Sequence, residues 1–255
     1  EELNQLSKPK LVQIYNKLSE LMYEWYSISM CIDPTDEFLM IDITKKIKEI
    51  IRSKLGENYS EKEFIRVYNI ITTPSKPSYL NDERKMILEI VRDLNQRTLK
   101  QASNEFDERI NKMLNLFWWT ALGWAREEPK NKFNIINEID NIRNSKIDVK
   151  KELEKMECYA EQTESSKEEV EKKYSFDNEK QLKALLRILD RFFFYHDSRK
   201  EIQMKYNFFE YKLLEEIAKQ TNVHPLLLDW CTPEEVLELI NHGKFNEEEI
   251  NKRTS

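Results

Sequence analysis

Three glycines in 255 residues leave this chain almost no backbone freedom outside the standard regions, and that restricts both its fold and its chemistry. Sites that grip phosphate or a dinucleotide through main-chain N–H groups need glycine-rich turns, because only glycine brings the backbone close to a phosphate at positive φ. Gly56, Gly123 and Gly243 stand alone. Two of them fall where a helical pattern stops, which assigns them to helix C-caps. The chain is expected to be an all-α, elongated multi-helix bundle, with one very long helix in its C-terminal half and a charged helical arm. It carries no nucleotide-binding loop of its own.

At this length the chain is long enough to bury a full core, and one helical domain over 1–255 is the simplest organisation. Sub-bundles over 1–73 and 79–255 are the expected subdivisions. With 40% hydrophobic and 35% charged residues, including twelve Phe, eleven Tyr and five Trp, the composition suits amphipathic helices and not a disordered chain. A net charge of −6 argues against nucleic acid as a partner, since a phosphate-backbone binder needs a basic face. Cys31, Cys158 and Cys231 are odd in number, widely spaced and without CxxC spacing, so neither a disulfide framework nor a zinc site is indicated. A cytoplasmic setting is expected. No apolar run approaches the roughly 20 residues needed to cross a bilayer, so no membrane association is expected. The start at Glu1-Glu2-Leu3, without an initiator Met, suggests a fragment of a longer multidomain chain.

Ser7 and Pro9 predict a helix start. Leu11, Ile14, Leu18, Leu21, Trp25 and Ile28 then form an apolar stripe. Asp33-Pro34 restarts the pattern, and Met40, Ile43, Ile47 and Ile50 predict a second helix ended by Gly56, the two forming a hairpin. Ser60 and Glu63 stand at capping-box spacing ahead of Phe64, Val67, Tyr68 and Ile71. The stretch 72–78 holds two prolines and no periodicity, so it reads as a hinge. Ile87, Ile90, Val91 and Leu94 mark a fourth helix. Phe106, Ile110, Met113, Phe117 and Trp124 mark a fifth, widened by Trp118 and Trp119, and Phe133, Ile136, Ile139 and Ile142 a sixth. Residues 148–173 are strongly charged, with Val149, Leu153, Met156 and Val170 as anchors, and read as a solvated arm. From Asn178 to Asn222 no Gly or Pro intervenes, so Asp177 is read as the cap of a helix on the order of 60 Å long. Pro225 and the capping box Thr232-Pro233-Glu234-Glu235 open two last short helices, the second stopped by Gly243.

The long helix holds the most unusual local chemistry, Tyr195-His196-Asp197-Ser198-Arg199-Lys200. Its apolar row runs Leu185, Ile188, Phe192, Tyr195, Ile202, Tyr206, Phe209 and Leu213, and Arg199 interrupts it. Either Arg199 snorkels, with its stem buried and its guanidinium wet, or it meets a carboxylate or an anionic ligand. His196 beside Asp197 invites comparison with helical HD-type metal phosphohydrolases. That comparison fails, because the only other histidines are His224 and His242, and neighbouring helical positions point about 100° apart. Asp33, Asp36 and Glu37 have the flavour of an aspartate-rich magnesium motif, yet Pro34 sits inside the cluster and helix capping explains it. HExxH, GxSxG, Walker and di-iron ExxH patterns are absent from the sequence.

The runs Tyr195–Lys200, Leu213–Lys219 and Leu228–Val236, together with Thr73–Ser78 and Glu83, resemble the helical segment of PEP-utilising enzymes such as phosphoenolpyruvate synthase, pyruvate phosphate dikinase and rifamycin phosphotransferase-like proteins. The resemblance implies a linker or substrate-side domain of a multidomain phosphotransferase, with no catalytic residue in this chain. Its partners would be an ATP-grasp domain and a mobile phosphohistidine domain, in the same protein or a partner chain. No cofactor belongs to this chain itself, and ATP and Mg are expected only for the parent enzyme. His196, Asp197, Arg199 and Lys200 are the residues expected to face substrate or another domain. The rival expectation is a stand-alone helical scaffold for protein partners.

Overall fold

A computed structural model of the chain describes residues 3–29, 40–74, 76–123 and 126–254. Cys31, the Asp33, Asp36 and Glu37 cluster with Pro34, Ser75, Trp124 and the side chain of Ile28 lie outside that description. Among the described residues there are twelve α-helices and no strand. In chain order they are α1 (Lys8–Ser29), α2 (Met40–Leu55), α3 (Glu61–Thr72), α4 (Tyr79–Asn95), α5 (Asn104–Phe117), α6 (Lys132–Asn144), α7 (Val149–Glu157), α8 (Tyr159–Tyr174), α9 (Lys180–Thr221), α10 (Pro225–Leu228), α11 (Pro233–His242) and α12 (Glu247–Arg253).

Local chemistry explains most of these boundaries. The Ser60 hydroxyl accepts from the Glu63 amide at 3.1 Å, satisfying one orphan donor of the first turn of α3. At α11 the capping box closes in both directions, Glu235 N–H to the Thr232 hydroxyl and Thr232 N–H to the Glu235 carboxylate. Gly243 ends that helix at φ +66°. A Cβ there would meet nothing within 4 Å, so it is the left-handed backbone and not crowding that calls for glycine. Asp177 does not cap α9: it sits in a 3₁₀ turn, Phe176–Asn178, and the first helical amide bond, from Lys183 N–H, reaches the Glu179 carbonyl. The last helix, α12, was not expected. Its Asn246 cap accepts from Glu249 N–H at 3.2 Å, but the segment has one buried apolar residue, Ile250, too few for a period to register.

The chain divides into two compact units, one of Glu1–Cys31, Leu122–Glu128 and Ile202–Ser255, the other of Ile32–Ala121 and Pro129–Glu201. Helices α1 and α2, expected as a hairpin, fall in different units. In the first unit, Leu11 and Tyr15 of α1 pack with Leu213, Leu214 and Ile217 of α9 and with Val236, Leu239 and Ile240 of α11. Each such side chain, fully buried, stabilises by roughly 1.5–3 kcal/mol relative to exposure. Arg126 fastens the short Leu122–Glu128 segment: its guanidinium donates to Asp229 at 3.1 Å, to Glu215 at 3.2 Å and to the Pro225 carbonyl at 3.2 Å, and lies 4.8 Å from the Tyr211 ring centre.

In the second unit α4 is central and packs against α5, α6 and α7. Ile87, Ile90 and Val91 meet Ile110, Ile135, Ile139 and Leu153 there. A separate core joins Ile47, Phe64 and Val67 to Val170, Leu182 and Leu189. The charged stretch 148–173 folds as α7 and α8, tied down at Val149 and Leu153 in one core and at Val170 in the other.

Several helices bury a face rotated from the one their spacing suggests. On α1 the buried residues include Leu11, Tyr15, Ser19 and Met22, while Leu21 is exposed; on α6 Ile135 is buried and Phe133 is 69% exposed. On α9 the row containing Ile188, Tyr195, Ile202 and Phe209 is exposed at all four positions. Arg199, half-buried between Tyr195 and Ile202, therefore interrupts an open row and not a core stripe. The inward positions include Gln203 and Asn207, which satisfy one another through a 2.6 Å hydrogen bond.

Candidate functional site

The second unit contains a cleft of about 490 Å³, walled on one side by Pro74 and residues of Lys76–Asp82 and on the other by one face of α9. Pro74 and Pro77 prevent α3 from running into α4. The end of α3 is finished by the Thr72 and Thr73 hydroxyls, which donate to the Tyr68 and Asn69 carbonyls at 2.8 and 2.6 Å. The Tyr159 hydroxyl donates to the Pro74 carbonyl at 3.0 Å, pinning the irregular strip to α8. Ser78 then opens α4 through its carbonyl, which accepts from Asn81 and Asp82 N–H. Of the stretch read as a hinge, Pro74, Lys76, Pro77 and Ser78 line the cleft.

The opposite wall follows helix geometry. Asp190, Phe193, Phe194, Asp197 and Glu201 stand at i, i+3, i+4, i+7 and i+11, so they share one face of α9, and all five line the cleft. His196 and Ser198 flank that face and line it as well. Of the four residues singled out from sequence, the structure brings His196 and Asp197 into the cleft. Arg199 and Lys200 are not among its lining residues.

The cleft combines apolar and acidic character. Phe193 and Phe194 are 42% and 56% exposed. The Lys76 ammonium lies 5.7 Å from the centre of the Phe194 ring, within cation–π range. Tyr79 packs its ring on Trp119 at 4.7 Å between centroids, and its phenol is pushed above the usual tyrosine range, first by burial and then by the carboxylates of Asp197, Glu83 and Glu201. Behind Tyr79, one turn along α4, the buried Glu83 accepts from the Thr120 hydroxyl at 3.2 Å and from the Lys130 ammonium. Sequence reasoning passed over Tyr79, Tyr159, Asp190 and Phe194. The one available signal was the i, i+3, i+4, i+7 recurrence of aromatic and acidic residues along α9.

Among the described residues no group of three or more His, Cys, Asp or Glu is placed to hold a metal ion, and no helix is long and apolar enough to cross a membrane. No protein-family model, no curated protein and no solved structure matches this chain.

Proposed function

We propose that this chain is a helical protein-interaction module whose docking element is the cleft between Pro74–Asp82 and the Asp190–Glu201 face of α9. One observation carries this reading: Phe193 and Phe194 stay substantially exposed on a concave surface, where a partner side chain gains burial from several directions at once. The free thiols of Cys158 and Cys231 support a reducing, cytoplasmic setting. A photo-crosslinking amino acid placed at Phe194, with the same group at the exposed Phe133 as control, tests it in cells. A discrete adduct from position 194, not formed from position 133 and lost on Asp197→Arg, is the expected result; identical patterns from both positions reject a docking cleft.

A second reading keeps the resemblance to PEP-utilising enzymes, with the module as a linker or substrate-side domain and ATP-grasp and phosphohistidine domains as its partners. Its support is that two stretches carrying the resemblance, Thr73–Ser78 and Tyr195–Lys200, contribute residues to the same cleft although more than a hundred positions separate them in sequence. In this reading Arg199 and Lys200 contact an anionic substrate or neighbouring domain. Arg199→Met in the full-length protein tests it: a drop in phosphotransfer supports the linker role, whereas unchanged phosphotransfer with equal or better stability rejects it.

A further inference from the structure

We infer that the cleft receives a basic peptide segment, in which a Lys or Arg side chain lies against the Phe194 ring and the Asp197 carboxylate while a neighbouring apolar side chain packs between Pro77 on one wall and Phe193 on the other. This rests on the reading of the cleft as a docking site and adds the chemistry of the occupant.

Three observations lead there. The first is charge: carboxylates contribute from both walls, Asp82 on one side and Asp197 and Glu201 on the other, whereas Lys76 is the lysine lining the cleft. An anionic group entering that field meets like charge on two sides, and a cationic one meets a single ammonium, that of Lys76. The second is the Tyr79 phenol on the cleft wall, pushed up first by burial and then by the carboxylates of Asp197, Glu83 and Glu201. The third is the Lys76 ammonium over the Phe194 ring. That pair shows that the ring takes a cation, and an incoming Lys or Arg would displace the Lys76 ammonium from it. A bare metal ion does not fit, because its ligands are not grouped among the described residues, and a small cation leaves the proline and phenyl surface uncovered. A peptide with alternating basic and apolar side chains covers both.

Fluorescence anisotropy with two labelled hexapeptides, Gly-Leu-Arg-Phe-Arg-Gly and Gly-Leu-Glu-Phe-Glu-Gly, tests the proposal on the whole chain. The basic peptide is expected to bind, to weaken about tenfold with Asp197→Asn and again with Phe194→Ala, and to weaken as ionic strength rises from about 0.05 to about 0.3 M. Ile188→Ala, a neutral change at an exposed position of the same helix outside the cleft lining, should leave its affinity unchanged. Because Phe194 is exposed and Asp197→Asn is nearly isosteric, both variants should keep the parent melting temperature. Binding of the basic peptide that ignores both substitutions would mark mere attraction to a chain of net charge −6 and overturn the proposal. So would failure of both peptides to bind. If the acidic peptide binds better and Phe194→Ala abolishes it, the charge preference is wrong but docking at the cleft stands; loss of the position-194 crosslink as well would remove both.

Discussion

Lys130 reaches across 47 positions of sequence to place its ammonium on the carboxylate of Glu83, which is 5% exposed. The pair joins α4 to the segment before α6 and stands directly behind the Tyr79 wall of the cleft. Removing one partner strands the other charge in a site with little water. Lys130→Met is therefore expected to destabilise the second unit by about 3–5 kcal/mol, read from urea unfolding. Glu83→Leu added to Lys130→Met should recover much of that loss. A double variant no better than the single one would show that the pair supplies packing and not charge compensation.

Arg126 plays the corresponding part in the first unit, because its contacts are what hold Leu122–Glu128 against α9 and α10. Arg126→Met should cost about 1.5–3 kcal/mol, the range for charged hydrogen bonds, and should speed hydrogen exchange at the amides of Leu226–Asp229. Unchanged exchange there would place the clamp's contribution elsewhere.

Glu210 provides a pH signature. It accepts from the Tyr206 hydroxyl at 2.8 Å, and burial, partly offset by that bond, raises its carboxyl above the usual range, with Asp229 adding to the rise and Arg126 opposing it. A carboxyl with a raised folded-state value favours the protonated form, so it lowers stability as pH climbs from the ordinary glutamate value, about 4.3, through the folded one. Glu210→Gln should stabilise the protein at pH 7, with the gain fading below about pH 4. A pH-independent gain would indicate a packing effect and not relief of the buried charge.

The Cys231 thiol donates to the Leu227 carbonyl at 3.4 Å, and burial, with Glu235 beside it, pushes it up to about 11. Thiolate is the reactive form. In a Cys31→Ser background, Ellman titration at pH 8 should show Cys158 reacting well before Cys231. Equal rates would contradict the burial of the Cys231 site.

Much of the secondary structure was legible because it is written in short-range chemistry. Ser60, Thr232 and Gly243 act within one turn of themselves, and the run from Lys180 to Thr221 is one helix because nothing in it breaks one. The cleft was legible only in fragments. The sequence pointed to His196 and Asp197 but paired them with Arg199 and Lys200, since adjacency along a chain was taken for adjacency in space. On a helix the neighbours of Asp197 across the surface are Phe193, Phe194 and Glu201, and those are the residues found beside it.

What the sequence by itself determined is that the chain is helical, where most helices begin and end, and that Gly56 and Gly243 serve as caps, because dihedral preferences and capping bonds span four residues or fewer. What only the tertiary structure decided is which face of each helix is buried and which distant segments meet. Period alone allowed Leu21 or Met22, Phe133 or Ile135, and the partner helices chose the second in each case. The same holds for Glu83 with Lys130 and for Pro74–Asp82 facing Asp190–Glu201: burial is a property of the surface pressed against a residue, and that surface comes from elsewhere in the chain.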